Sequence, residues 1–226
     1  MIRRALAATP FARSKRFARS LPLVAYSKLV RLGSAYGGWT IPTNFLRSDS
    51  ICYSGGVGTD VSFDLELIRR YGCTVHAFDP TPSSVDYVRT AGLPAGFRFF
   101  PYALCRLDGE QTFHFYNARD GSYSMNLSRS GDSFVAQCRS VKSLMQEFGH
   151  ARLDLLKLDI EGGEYEVIDS LLADEINVSV LCVEFHRTPF IRRMVQSARR
   201  LQEGGFVPVA LSYFDVTFMK SELLAL

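Results

Sequence analysis

Four clusters of residues have the types and spacing to do chemistry. Each falls where an apolar run ends. The first is the glycine turn Ser54–Gly58 with Asp60 just beyond it. Gly56 and Gly58 leave room for a ligand to approach the backbone closely. The second is Asp79, twenty-three residues past Gly56 and just after the apolar run 74–78. An acid at that spacing and strand end can accept hydrogen bonds from both hydroxyls of a ribose. Together the turn and the acid describe a site for an adenosine. Phe78 and Tyr102 are the nearby aromatic rings that could stack on an adenine, and both also suit a core.

The third cluster is Asp159, Glu161 and Glu164, with Gly162 and Gly163 between the acids. Glu164 opens a helical stretch, where the helix dipole favours negative charge, so helix capping accounts for it. Asp159 and Glu161 are candidates for handling a proton. Lys157, inside the preceding apolar run, needs one of these acids as partner if it is buried. The fourth cluster is Glu184 and His186, two residues apart and so on one side of an extended chain. Candidate catalytic residues are therefore Asp159, His186 and Glu161. Candidate cofactor contacts are Ser54, Gly56, Gly58, Asp60, Asp79, Tyr102 and Asp159. His76, His114 and His150 lie in strand or helix contexts and read as structural. This chemistry needs no metal, although the carboxylates offer the oxygen ligands that Mg²⁺ takes.

The elements that must position these groups alternate. Strands are expected at 50–53, 74–78, 97–100, 153–158 and 178–183. Helices are expected at 61–70, from 83, and at 141–148, 164–172 and 190–202. Further extended pieces fall at 111–116 and 134–138. Alternation of this kind makes a mostly parallel, doubly wound α/β sheet, whose ligands bind at the carboxyl ends of the strands. Two last strands, 206–211 and 216–220, joined by a short turn, must be antiparallel. Before the core, a short helix is expected near 26–32, and GGWTIP (37–42) reads as a lid-like segment.

The chain has 226 residues, 47% of them hydrophobic, enough for one sizeable core. Residues 1–48 form a basic arm with nine Lys or Arg and no acid, while residues 49–226 form the main domain. That domain carries seventeen basic and twenty-three acidic residues. The arm can touch an anionic surface. The acidic domain argues against a nucleic-acid partner. Mean hydropathy is near zero, and no apolar run reaches the roughly 18 residues of a membrane span. The five cysteines are scattered without CxxC spacing. They suggest neither zinc nor a disulfide framework, but buried thiols in a cytoplasmic protein.

The motif LLKLDIEGGEYEVI (155–168) resembles the signature of the FkbM family of methyltransferases. VHAFDPTP (75–82) is similar to the family's second-strand motif, which ends in an acid followed by proline, and VEFH (183–186) to the strand after the signature. The resemblance covers roughly residues 50–210. It implies a Rossmann-like class I methyltransferase fold, S-adenosylmethionine (SAM) as methyl donor, and a hydroxyl acceptor on a sugar, glycan or other small molecule. The chain departs from the family in its first motif, where Ser54 stands in place of an acid; Asp60 or Glu161 could supply that carboxylate. Asp79 stands where a glutamate is commoner. Two other functions fit the residues. One is an NAD-dependent sugar-nucleotide oxidoreductase, which the divergent glycine turn disfavours. The other is a non-catalytic binding protein on the same scaffold.

Overall fold

A computed structural model describes residues 10–117, 122–124, 133–186 and 191–225. The chain opens with helix α1 (Pro10–Ala18) and a hairpin of β1 (Leu29–Leu32) and β2 (Trp39–Pro42). Then come β3 (Ile51–Gly55), α2 (Ser62–Tyr71), β4 (Thr74–Phe78), α3 (Pro82–Thr90) and β5 (Phe97–Phe100). Four strands form a separate small sheet: β6 (Ala103–Leu104), β7 (Gly109–Asn117), β8 (Ser122–Ser124) and β9 (Ser133–Arg139). The chain continues through α4 (Val141–Phe148), β10 (Leu153–Leu158), α5 (Glu164–Ala173), β11 (Val178–Glu184), α6 (Ile191–Glu203), β12 (Phe206–Ser212) and β13 (Asp215–Lys220).

The main sheet runs β12-β13-β11-β10-β3-β4-β5. β3, β4, β5, β10 and β11 pair in parallel, whereas β13 is antiparallel to both β11 and β12. This is the Rossmann-like class I methyltransferase arrangement, a doubly wound α/β sheet with one late antiparallel strand. From β3 the chain winds outward to β5, then returns through β10 on the other side of β3. The crevice between the ends of β3 and β10 is thus the switch point, where open α/β sheets hold ligands.

Both faces of the sheet are buried. Tyr53, Leu156, Leu158, Leu181 and Val183 point into one core, which also holds Val141, Val167 and Leu201 from α4, α5 and α6. Their neighbours Cys52, Leu155, Val180 and Cys182 point into the other, with Phe63 and Leu67 of α2. Alternate residues filling opposite cores explain why β10 and β11 read as continuous apolar runs.

Two expectations fail here. The expected helix near 26–32 is instead strand β1, paired from Leu29↔Pro42 to Leu32↔Trp39. Gly33, at φ +87°, and Gly38 make the tight turn, and Trp39 and Ile41 are buried against α2 and the sheet. The lid-like segment is therefore an integral strand. The cysteines also differ from expectation: Cys105 and Cys138 form a disulfide. β6 and β9 lie side by side, and the two Cα atoms are 5.5 Å apart, well inside bonding range. Only this strand pairing brings together residues 33 positions apart. Cys52, Cys73 and Cys182 remain buried thiols. The disulfide removes the thiol-based argument for a reducing compartment. Among the described residues, no helix is long and apolar enough to cross a membrane.

The basic arm is anchored. Phe17 of α1 is fully buried and meets Phe185, at the end of β11, edge-on at 5.4 Å.

Candidate active site

The glycine turn follows β3 directly. Gly56 has φ +81°, and a Cβ there would run into the backbone carbonyl of Asp159. The turn therefore packs backbone to backbone on the end of β10. Lys157 Nζ donates to the Gly56 carbonyl at 2.5 Å, fixing the turn from below. Gly58, at φ +56°, has open space where a Cβ would be, so the outer face of the turn is free to take a ligand.

Asp79 closes the turn from the other side. Its Oδ2 accepts from the amides of Val57 (2.9 Å) and Gly58 (3.0 Å) and from the Ser84 hydroxyl (2.8 Å). Its Oδ1 accepts from the Thr81 amide and hydroxyl at 2.8 and 2.6 Å. A carboxylate has about four lone-pair sites. A ribose hydroxyl reaching Asp79 must displace one of these donors.

Beyond β10, Glu161 takes φ +52°, a left-handed conformation uncommon for a residue with a side chain. It thereby aims its carboxylate at His186, with Oε2 3.3 Å from Nε2. Asp159 Oδ1 and Glu184 Oε1 stand 3.8 and 3.7 Å from the same nitrogen. Glu164, fully buried at the start of α5, accepts from the Gly162 amide (2.8 Å) and the His186 amide (2.9 Å). One carboxylate thus serves its helix, as expected, and also ties the β10 turn to the end of β11. Glu164 Oε2 lies 3.6 Å from the His186 Nδ1.

The electrostatics divide the roles. Burial pulls the His186 pKa down, but Glu164, Glu161 and Glu184 overcome it and push it up to about 10. The ring is an imidazolium at neutral pH and cannot receive a proton. Burial and the neighbouring Asp159 push Glu184 up to about 8. Burial would raise Asp159 too, but Lys157 and His186 hold it below the ordinary carboxylate range. Glu184 and Asp159 share a hydrogen bond, so at neutral pH Glu184 carries the proton between them. Asp215, opposite Glu184 in the register, is raised to about 6 by burial and by Asp159.

Asp159, Glu184 and His186 bring one donor atom each within 4.8 Å of one another. That spacing suits a cation. The charged imidazole already stands there, and we assign no metal ligand among them.

Of the expected residues, Asp159, Glu161 and His186 come together, beside Gly56. Asp60 instead binds the hairpin: Oδ2 accepts from the Ser34 hydroxyl at 2.5 Å and Oδ1 from the Ser62 amide. Tyr102 stacks on Phe100 under the guanidinium of Arg139, and Phe78 is a buried core ring. Ser54 is buried, and its hydroxyl faces Asp64 of α2. Burial raises the Asp64 carboxyl, against the pull of Lys157 and Ser54. Asp64, Glu184 and Asp215 were absent from the expected set. Glu184 was visible in sequence as a strand-end acid. Asp215 becomes visible only through its antiparallel pairing, and Asp64 only through the packing of α2.

The profile of the family described as "Methyltransferase FkbM domain" matches residues 53–208, from the middle of β3 into β12. The chain belongs to the FkbM methyltransferase family. The match takes in the glycine turn, Asp79, Asp159 and His186, and stops short of Asp215. Two curated relatives named "Probable methyltransferase-like protein 24" agree. The one from Rattus norvegicus is 29% identical over 136 residues, and the one from Homo sapiens 26% over 137. Each alignment covers 59% of this chain and 32% of the relative, so this FkbM chain spans about a third of their length. Among solved structures, the Methanococcus jannaschii fibrillarin pre-rRNA processing protein is 10% identical, with 79% of this chain and 70% of that one covered and a TM-score of 0.45.

Proposed function

We propose that this FkbM-family chain is a SAM-dependent O-methyltransferase acting on a hydroxyl of a sugar, glycan or natural product. The observation that carries this is the Asp159–Glu184 pair, placed at the ends of adjacent strands beside the glycine turn. An acid titrating near 8 is tuned to take a proton at working pH.

The residues fit the donor. The open face of Gly58 leaves room for close approach by a nucleoside. Asp79 shapes that turn and lies at its edge. Among the described residues, five carboxylates, Asp159, Glu161, Glu164, Glu184 and Asp215, stand around Lys157 and His186, with Arg31 acting on Asp215. Such an excess of negative charge favours a cationic ligand. When bound, SAM supplies an electrophilic methyl group on a sulfonium. Glu161, with 31% of its side chain exposed, can supply the carboxylate missing at Ser54.

The protein's part is to hold an alcohol in line and take its proton. With the donor bound, the methyl carbon would pass to the alcohol oxygen as its bond to sulfur breaks, leaving a neutral thioether, and the hydroxyl proton would pass to Glu184 in the deprotonated pair. Positioning supplies much of the acceleration, several kcal/mol of barrier in well-oriented systems. His186 donates rather than accepts; with Lys157, its charge holds Asp159 below the ordinary carboxylate range.

Isothermal titration with SAM tests the proposal first. Binding of SAM, or of its demethylated product, is expected. If neither binds, the proposal fails.

A further inference from the structure

The basic arm and α6 share a surface that methyl transfer does not use. α1 packs on α6, and Phe17 is the rivet, buried in the core that also holds Met194, Ala198 and Leu201 of α6. With Phe17 facing in, Lys15, Arg16 and Arg19 face out and are exposed. On α6, Met194, Ala198 and Leu201 face in. Arg193 and Arg200 lean toward α5, where they pair with Glu166 and Asp169. Arg192 and Arg199, seven residues apart and so on one stripe of the helix, are exposed on the remaining side. Among the described residues, Arg16, Arg19, Arg192 and Arg199 have no acidic partner within ion-pair distance. Just past α1, Leu23 is a large apolar side chain left 49% exposed.

We propose that this two-helix face docks the protein on an anionic lipid bilayer. Clusters of four to eight Lys or Arg on a helical surface are what such membranes attract, at about 1 kcal/mol for each residue. α6 packs on both α1 and α5, so it does not stand clear of the domain as a helix that enters a nucleic-acid groove does. Among the described side chains of α1 and α6, no exposed one is an aromatic ring on which bases could stack. Beyond residue 48 acidic residues outnumber basic ones, twenty-three to seventeen, yet α6 carries four arginines and no acid before Glu203. Phe17 rests on Phe185, the residue before His186. Docking therefore sets the ligand edge of the sheet close to the lipid surface.

Co-sedimentation of the full chain with vesicles tests this without any methyl acceptor. Binding to phosphatidylcholine–phosphatidylserine vesicles is expected, with little to phosphatidylcholine alone and release as salt rises. Replacing Arg16, Arg19, Arg192 and Arg199 together by Gln should weaken binding at least about a hundredfold. The double change Arg69→Gln with Arg89→Gln, at exposed sites on α2 and α3, should leave most of it. Thermal melts confirm that both variants fold. The proposal is overturned if anionic vesicles do not bind, or if the quadruple variant binds as well as the parent. It is overturned equally if an RNA or duplex oligonucleotide competes the vesicles away and depends on the same four arginines.

Discussion

Gly56 and Asp159 touch through their backbones: the turn after β3 lies against the end of β10 with no space for even a methyl group between them. Gly56→Ala therefore meets two obstacles, a left-handed φ and a backbone carbonyl. It should cost at least about 2 kcal/mol and weaken SAM binding. Gly58→Ala shares the left-handed φ but has open space, so about 1 kcal/mol is expected. Calorimetric melts of the two variants check the order, and equal losses would contradict the packing.

Asp79 holds two amides of that turn. Asp79→Ala should both lower the melting temperature and weaken SAM binding, because the turn loses its clamp. An unchanged melt with weakened binding would instead mark Asp79 as a ligand contact alone.

Glu184 must lose its proton before it can take one from an alcohol. With a folded pKa of about 8, kcat/KM should rise with pH and level off above that value. The limb belongs to the Asp159–Glu184 pair jointly. Glu184→Gln should remove the limb and lower turnover about a hundredfold or more. A retained limb in that variant would move the proton acceptor elsewhere.

His76 gives the fold an acid weakness. Burial, then His150 and Arg98, push its pKa down to about 4, against 6.5 for a free imidazole. The ring packs against both Phe100 and Phe148. The unfolded chain takes up this proton near pH 6.5 and the folded one only near 4. Stability should therefore fall as pH drops through that window, by up to about 3 kcal/mol. His76→Phe should flatten the dependence, as read by chemical denaturation at several pH values.

Mass spectrometry after alkylation without reductant should find three reactive thiols in the denatured chain, and five after reduction. Five in both would refute the Cys105–Cys138 bond.

The sheet was legible because its strands are buried on both faces. Leu153–Leu158 and Thr74–Phe78 stand where their apolar runs predicted. β1 was not legible: four residues carry little period, and its pairing with β2 decided its form. The site was legible where a side chain follows a strand, as with Asp159, Glu161 and His186. The rest depended on neighbours remote in sequence. His186 looks like a base until Glu161, Glu164 and Glu184 close on it. Asp60 reads from sequence as a ligand contact, and only the fold shows that its carboxylate also accepts from Ser34 of the hairpin.

The insertion of β13 between β11 and β12 has a consequence for how the protein is made. Among the described residues, β12 hydrogen-bonds to β13 and to no other strand of the sheet. As the chain leaves the ribosome, β12 emerges with nothing to pair with. Asp215, the first residue of β13, arrives later still. The sheet's far edge and the last acid of the pocket are thus completed in one late event, and a nascent chain stopped before Asp215 holds neither.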